Sequence, residues 1–126
     1  MKRYTRTHEW FEPVGTDAAR VRLGITAHAA QELGSIVFVE LPAPGRVVAR
    51  GESLAVIESV KAVGEVYAPF PGTVVEVGAG LAENPERIGE DPEGTGWLVV
   101  LAVDDPAELE QGMDAEAYQQ MLAAQA

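Results

Sequence analysis

The chain has 126 residues, 47% hydrophobic and 23% charged, which fits a single globular domain spanning 1–126. Its formal net charge of −11 disfavours binding to nucleic acid or to an anionic membrane. The chain has no cysteine, which excludes disulfides and thiolate metal sites, and no apolar run approaches the roughly 20 residues of a membrane span.

The N-terminal residues lack the apolar core of a secretion signal. We therefore expect a cytoplasmic protein, or a mitochondrial matrix protein if an organellar leader has been removed. We also expect a monomer. The charge is uneven, since 1–61 contains eight basic and seven acidic residues, whereas 62–126 contains one basic and thirteen acidic residues. The acidic half serves either solubility alone or the steering of basic protein partners.

Short periodic segments fill the first 41 residues. The aromatic segment 7–11 predicts a strand or extended arm, and alternation over 19–25 predicts a half-buried strand. A helix is predicted over 27–33 because suitable capping residues, Thr26 and Gly34, flank it. The β-branched residues of 35–41 predict a strand that is covered on both faces.

An internal repeat follows this strand. Residues 42–51 and 69–78 share the pattern P-x-P-G-x-V-V-x-x-G at an offset of 27 positions. Two copies fit two similar β-halves, related by a pseudo-twofold axis and packed face to face so that both valine rows are buried. We therefore predict a mainly β fold, a flattened β-sandwich or barrel with short peripheral and C-terminal helices.

The C-terminal third predicts one buried strand between short helices. A loop-rich stretch, 80–96, contains one turn of helix at 85–88, and the apolar run 97–103 predicts the strand. Asp105 followed by Pro106 predicts a short helix, and Asp114 caps a final helix that runs to Ala126 with a stripe of Ala117, Met121 and Leu122 beside Tyr118.

Lys61 is the strongest candidate for chemistry. The chain has only two lysines, Lys2 and Lys61, whereas seven of its nine basic residues are arginine. Lys61 lies midway between the two repeat copies, where we predict a hairpin at one end of the sandwich. Arginine supplies charge but not a primary amine for amide formation, so a lysine kept here indicates an attachment point. The alternative is an ordinary solvated turn residue.

Other kinds of site have little support. The sequence contains no phosphate-binding glycine loop, no zinc pattern and no nucleophile elbow. Its two histidines, His8 and His28, are far apart in the chain and share no ligand spacing.

The residues around Lys61 resemble the lipoylation site of glycine cleavage system H proteins. The resemblance runs nearly end to end, from Tyr4 to Leu122, and its motifs include Glu58-Ser59-Val60-Lys61-Ala62, Thr7-His8-Glu9-Trp10, Gly24-Ile25-Thr26, Asn84-Pro85 and Gly96-Trp97. Biotin carriers instead place Met on each side of the lysine. The resemblance implies a barrel-sandwich hybrid fold, like that of lipoyl and biotinyl domains, in a non-catalytic carrier.

The resemblance also implies a cofactor, partners and site residues. Lys61 would hold lipoate in amide linkage and carry an aminomethyl group from glycine decarboxylase to aminomethyltransferase, with dihydrolipoamide dehydrogenase reoxidising the dithiol. Glu9 and Glu65 would hold the ammonium end of the loaded arm in a cleft. Glu58 and Gly45 match positions that the family uses for recognition by the lipoate-attaching enzyme.

Two alternatives stay open. The chain could be a biotin-type carrier, or a lipoyl donor or relay protein for other complexes. It could also be an unmodified interaction module in which Lys61 is an ordinary residue.

Overall fold

A computed structural model describes residues 2–125, apart from the side chains of residues 17 and 18. In chain order the elements are β1 (Arg3–Tyr4), β2 (Glu9–Val14), β3 (Asp17–Ile25), α1 (Ala27–Leu33), β4 (Ile36–Glu40), β5 (Val47–Val48), β6 (Ser53–Ser59), β7 (Val63–Tyr67), β8 (Gly72–Val77), α2 (Glu86–Glu90), β9 (Val99–Val103), a 3₁₀ helix (Pro106–Gln111) and α3 (Ala115–Gln125). None of the helices described is long and apolar enough to cross a membrane.

The strands form two antiparallel sheets. One has six strands in the order β1-β2-β3-β9-β8-β5, and the other has three strands in the order β4-β6-β7. Buried side chains of both sheets share one hydrophobic core, for example Leu23 and Leu101 from the larger sheet with Val39 and Ile57 from the smaller. The predicted mainly β, flattened sandwich is confirmed, with two sheets that do not close into a barrel.

Helix α1 has the predicted bounds because its signals are local. The Thr26 side chain accepts a hydrogen bond from the backbone N–H of Ala29 at 3.2 Å. Gly34 ends the helix with a φ of 79°, a backbone conformation that favours glycine. The strand predicted over 19–25 and the helical turn predicted near 85–88 are likewise confirmed, with bounds shifted by a few residues.

The predicted burial of strand 35–41 on both faces is wrong. The strand β4 forms, but it lies at the edge of the three-stranded sheet, and its pairing with β6 contains a bulge between Ile36 and Phe38. The bulge turns two successive residues, Val37 and Phe38, toward solvent, where both are exposed. β-branched residues indicate that a segment forms a strand, but which faces of that strand are covered depends on elements distant in the chain.

The predicted face-to-face packing of the two repeat copies is also wrong. Strand β5 of the first copy pairs antiparallel with β8 of the second copy in the same sheet, with Val47 opposite Thr73 and Val48 opposite Gly72. The pairing keeps the two copies related by a local twofold axis. However, Val48 and Val74 are buried whereas Val47 is 72% exposed, so the first valine row is only half covered.

The C-terminal predictions hold with one correction. Strand β9 begins at Val99, two residues after the predicted start, and Asp105 caps a 3₁₀ helix. Asp114 accepts a hydrogen bond from the Ala117 N–H at 2.8 Å, as a helix cap does. The last helix packs through the predicted stripe, since Ala117, Met121 and Leu122 are half-buried beside buried Tyr118. The predicted last residue, Ala126, lies outside the described residues.

Gly72 gives a test of how closely the sheet is packed. A Cβ at this position would lie 2.5 Å from the backbone oxygen of Ala102, so the strands would have to move apart. We expect Gly72→Ala to lower the free energy of unfolding by about 1–3 kcal/mol, measured by urea denaturation. Gly89→Ala is the control: a Cβ there has ordinary contacts in helix α2, and the change should stabilise by about 0.5–1 kcal/mol. Equal effects of the two substitutions would contradict this account.

Candidate functional site

Lys61 lies on the turn of the β6–β7 hairpin, as the sequence predicted. Ser59 fixes this turn, because its N–H donates to the Ala62 carbonyl at 2.8 Å and its Oγ accepts from the Ala62 N–H at 3.0 Å. The N–H of Val60 donates to the Ser35 carbonyl at 3.0 Å, which ties the turn to the residue before β4. The hairpin tip is therefore held by hydrogen bonds at its base and side, while Lys61 itself is exposed.

The Lys61 side chain lies along the C-terminal end of helix α1. A Cβ at Gly34 would be 3.4 Å from Lys61 Cε and 4.0 Å from Nζ. A Cβ there would make only ordinary contact with the lysine stem, so glycine at position 34 is required by the positive φ at the helix end and not by space.

A cleft of about 350 Å³ starts beside the Lys61 turn. Ala62 and Gly64 border it at the turn. Glu9 borders it at the opposite limit, beside Tyr67 at the far end of β7. Its walls are apolar side chains of α1 and the two sheets, with a few polar residues among them: Ile25, Ala29, Leu33, Ile57, Val66, Thr7, His8, Glu32 and Glu65. We call this space the Glu9 cleft. It offers an aliphatic chain attached at position 61 a largely apolar path to a buried carboxylate.

A larger cavity, of about 460 Å³, lies on the other side of Glu9. Thr7 and Glu9 border both cavities, and the larger one is otherwise lined by residues such as Phe11, Tyr67 and Phe70. It does not reach the Lys61 turn. The Glu9 cleft is therefore the one that an attached arm enters first.

Glu9 is a buried carboxylate held by hydroxyl groups. Glu9 is only 2% exposed. Its Oε1 accepts hydrogen bonds from Thr5 Oγ1 at 2.6 Å and from Thr7 Oγ1 at 2.5 Å. Oε2 accepts a long bond, 3.4 Å, from the Tyr67 N–H. Burial raises the pKa of the Glu9 carboxyl, and these hydrogen bonds oppose the rise.

No cationic side chain among residues 2–125 forms an ion pair with Glu9. A buried carboxylate without a counter-charge is costly, and a cation brought beside Oε2 would relieve that cost. The cleft therefore ends in a group that favours a positively charged ligand.

The other predicted site residues have different environments. Glu65 also borders the Glu9 cleft, but it is exposed and lies between Gly64 and Val66, so it stands at the rim whereas Glu9 is buried. Glu58 lies two residues before the turn and is half-buried, in register with Phe38 and Val63. Gly45 is not near the turn: its neighbour Arg46 pairs with Glu52, at the opposite end of strand β6. Gly45 has a φ of 95°, which is a backbone reason for glycine.

Comparison with known proteins agrees with this arrangement. The family model for the glycine cleavage H-protein matches residues 2–125. The chain belongs to the glycine cleavage H-protein family. It is 49% identical to the glycine cleavage system H protein of Thermotoga maritima over 98% of this chain and 97% of that protein. It is 46% identical to a glycine cleavage system H protein of Thermus thermophilus over 98% of this chain and 94% of that protein.

A solved structure of the family has the same fold. The crystal structure of a glycine cleavage system H protein from Mycobacterium marinum matches with a TM-score of 0.81 and 36% sequence identity, over 97% of this chain and 96% of that one. The architecture described above is therefore the H-protein architecture.

A cluster on the cleft wall of this H-family chain was missed by the sequence reasoning. The rings of His8 and His28, distant in sequence, lie 4.9 Å apart, and His8 Nδ1 is 2.7 Å from the Tyr118 hydroxyl. The same hydroxyl is 2.8 Å from Thr26 Oγ1. Burial lowers the pKa of His8, so its ring is uncharged at neutral pH. Among the side chains that the structure describes, those of 2–16 and 19–125, no group of three or more acidic or histidine residues could hold a metal ion.

The hydroxyls that hold Glu9 were also missed as functional groups. Thr5 additionally accepts a hydrogen bond from the Glu9 N–H at 3.0 Å, so it contacts both the backbone and the side chain of Glu9. Thr7 was visible in the Thr7-His8-Glu9-Trp10 motif, but nothing in the sequence shows that the chain turns back over these five residues. The positive φ of His8, 70°, makes that turn possible.

The Thr5 contact gives a direct prediction. Thr5→Val keeps the shape but removes one donor to a buried carboxylate, so it should raise the pKa of Glu9 further and destabilise the fold by about 1.5–3 kcal/mol. The pKa is measured by NMR titration of the Glu9 side chain and stability by urea unfolding. Thr95→Val is the control, because Thr95 donates to Asp91 at 3.1 Å in an exposed position. An unchanged Glu9 pKa would show that Thr5 does not hold the carboxylate.

Proposed function

We propose that this chain is the lipoyl-bearing shuttle of the glycine cleavage system, a single non-catalytic carrier domain. It would carry the aminomethyl group from glycine decarboxylase to aminomethyltransferase on lipoyl-Lys61. The observation that carries the proposal is the juxtaposition of an exposed lysine, on a hydrogen-bonded turn, with a cleft that ends in a buried carboxylate without a counter-charge.

The residues present fit a lipoyl group on Lys61. The amine is exposed for amide formation. The Glu9 cleft has apolar walls that suit an aliphatic arm, for example Leu33 and Val66. When attached, the lipoyl group would supply a disulfide, one sulfur of which would carry the aminomethyl group while the other would become a thiol. The chain has no cysteine of its own that could compete by thiol–disulfide exchange.

Each predicted site residue has a proposed role. Glu9 accepts charge-assisted hydrogen bonds from the ammonium of the cargo and, with the apolar walls, keeps water from it. Glu65, at the rim of the cleft, contributes a weaker, solvent-screened attraction. Glu58 takes part in recognition by the lipoate-attaching enzyme. For Gly45 the same role stays a prediction, because the residue lies at the other end of β6.

The proposed partners are those of the glycine cleavage system. Glycine decarboxylase loads the carrier, aminomethyltransferase unloads it, and dihydrolipoamide dehydrogenase reoxidises the dithiol. An arm tethered to a rigid turn gives each enzyme a high effective concentration of its substrate. The relatives described above come from bacteria, and we propose the cytoplasm as the compartment and a monomer as the working form.

The test is a mass measurement followed by an activity assay. The purified chain, incubated with a lipoate–protein ligase, lipoate and ATP, should gain the mass of one lipoyl group, located on Lys61 by peptide mapping. The modified chain should then support glycine decarboxylation by glycine decarboxylase. Modification at Lys2, or capture on streptavidin after incubation with a biotin ligase, would contradict the proposal.

A further inference from the structure

An exposed apolar patch lies on the outer face of the three-stranded sheet. Six large hydrophobic side chains are exposed among the residues that the structure describes, and four of them lie together here. We call these four the outer patch: Val37 is 56% exposed, Phe38 50%, Val60 77% and Val63 65%. Contiguous apolar surface on a small protein commonly marks a contact site.

The patch is produced by the strand pairing around the Lys61 turn. The bulge in β4 turns both Val37 and Phe38 outward. Phe38, Glu58 and Val63 lie in one row across the three strands, because Phe38 pairs with Glu58 and Glu58 with Val63. Val60 is on the turn itself and is tied to the start of β4 through the Ser35 carbonyl. The patch is therefore continuous with the residue that carries the amine.

The patch and the Glu9 cleft lie on opposite faces of the hairpin. The cleft is bordered by Ile57, Gly64 and Val66, which alternate along the strands with the outward-facing Glu58 and Val63. An enzyme that acts on cargo held beside Glu9 must approach the cleft face. An enzyme that acts on the bare lysine must contact the turn itself and has no use for the cleft.

The charge in the patch indicates the chemistry of its partner. Glu58 lies in the middle of the row, and no cation among residues 2–125 forms an ion pair with it. The next row on the same side of the strands contains Glu40, Val56 and Glu65, because Glu40 pairs with Val56 and Val56 with Glu65. A complementary surface is apolar and presents an arginine or lysine to Glu58.

We propose that the outer patch is the docking surface for the lipoate-attaching enzyme. Phe38 and Val63 provide the apolar contact, and Glu58 receives a basic side chain of the enzyme. Docked there, the enzyme presents an activated lipoyl carbonyl to Lys61 Nζ. The C–N amide bond forms, the bond to the activating group breaks with its electron pair leaving on that group, and the amine releases a proton. The inference rests on the proposed lipoylation of Lys61.

The test compares initial rates of lipoylation. The double substitution Phe38→Thr and Val63→Thr places β-branched residues, which suit strands, at both positions while removing the apolar contact. We expect kcat/KM of a lipoate–protein ligase, with lipoate and ATP, to fall about tenfold or more. Val47→Thr, a change at an equally exposed valine on the other sheet, is the matched control and should leave the rate unchanged. Glu58→Gln, a change that leaves the apolar patch intact, should also lower kcat/KM.

A second measurement identifies the occupant of the patch. The double variant, fully lipoylated by prolonged incubation, should have an unchanged KM as a substrate of glycine decarboxylase. Normal lipoylation rates in both the double variant and Glu58→Gln would overturn the docking proposal alone. A raised KM with glycine decarboxylase and a normal lipoylation rate would overturn it by assigning the patch to that enzyme. If the unsubstituted chain were not lipoylated at all, the proposed function and the docking surface would both be wrong.

Discussion

The Lys61→Arg variant should take up no lipoyl group and support no glycine decarboxylation. Arginine keeps the positive charge and most of the stem length, but its guanidinium stays protonated and does not form the amide. Intact-mass measurement after incubation with a lipoate–protein ligase gives the first result, and release of CO₂ from glycine with glycine decarboxylase gives the second. We expect complete loss of both, which is the largest effect predicted for this chain.

The control for this variant is Lys2→Arg. Lys2 is the other lysine of the chain, and its Nζ lies 3.9 Å from a carboxylate oxygen of Glu93, away from the turn. Lipoylation of Lys2→Arg should match that of the unsubstituted chain. Because Lys61 is exposed, Lys61→Arg should change the free energy of unfolding by no more than about 0.5 kcal/mol. A Lys61→Arg protein that still supported glycine decarboxylation would show that the lysine is an ordinary turn residue.

Substitution of Glu9 should shorten the lifetime of the cargo. Hydrogen bonds to a charged group contribute about 1.5–3 kcal/mol, so Glu9→Gln should speed hydrolytic loss of the aminomethyl group by roughly 10- to 100-fold. Glutamine keeps an oxygen that can accept from the Thr5 and Thr7 hydroxyls but removes the negative charge. The measurement is the rate at which formaldehyde and ammonia appear from loaded, purified carrier. The lipoylation rate should be unchanged, because Glu9 lies at the far limit of the cleft.

Glu65→Gln separates a specific effect from a general loss of negative charge. Glu65 borders the same cleft but is exposed, and exposed charge pairs are worth only about 0–1 kcal/mol. Its substitution should speed the loss by less than about fivefold. If the Glu9→Gln carrier lost its aminomethyl group no faster than the unsubstituted carrier, Glu9 would have no part in holding the cargo.

Predictions from the sequence succeeded where the determining contacts are local. Helix α1 has the predicted bounds because Thr26 and Gly34 cap it through neighbours three or four residues away. The turn at Lys61 was likewise predicted, because a short hairpin is set by adjacent strands. The prediction that Val37 and Phe38 are buried was wrong, because a bulge and the edge position of β4 leave both side chains exposed.

The site was only partly predictable for the same reason. Glu9 and Glu65 were named through a family resemblance, and the structure brings both to one cleft. The contact between His8 and His28 had no sequence signal, since it depends on how the segment before β2 packs on α1. The face on which Phe38 lies relative to Lys61 was equally invisible, because it depends on pairing between strands that are distant in the chain.

The sequence by itself determined that one of the chain's two lysines lies on a hairpin between two β-rich halves. Composition, the identity of capping residues and the spacing of the repeat can be read from the order of residues alone, without knowing which distant segments meet. The tertiary structure alone decided that Glu9, 58 residues before its Tyr67 partner, is buried at the limit of a cleft that begins at Lys61. Burial, and with it the raised pKa of Glu9, exists only after distant elements exclude water from the site.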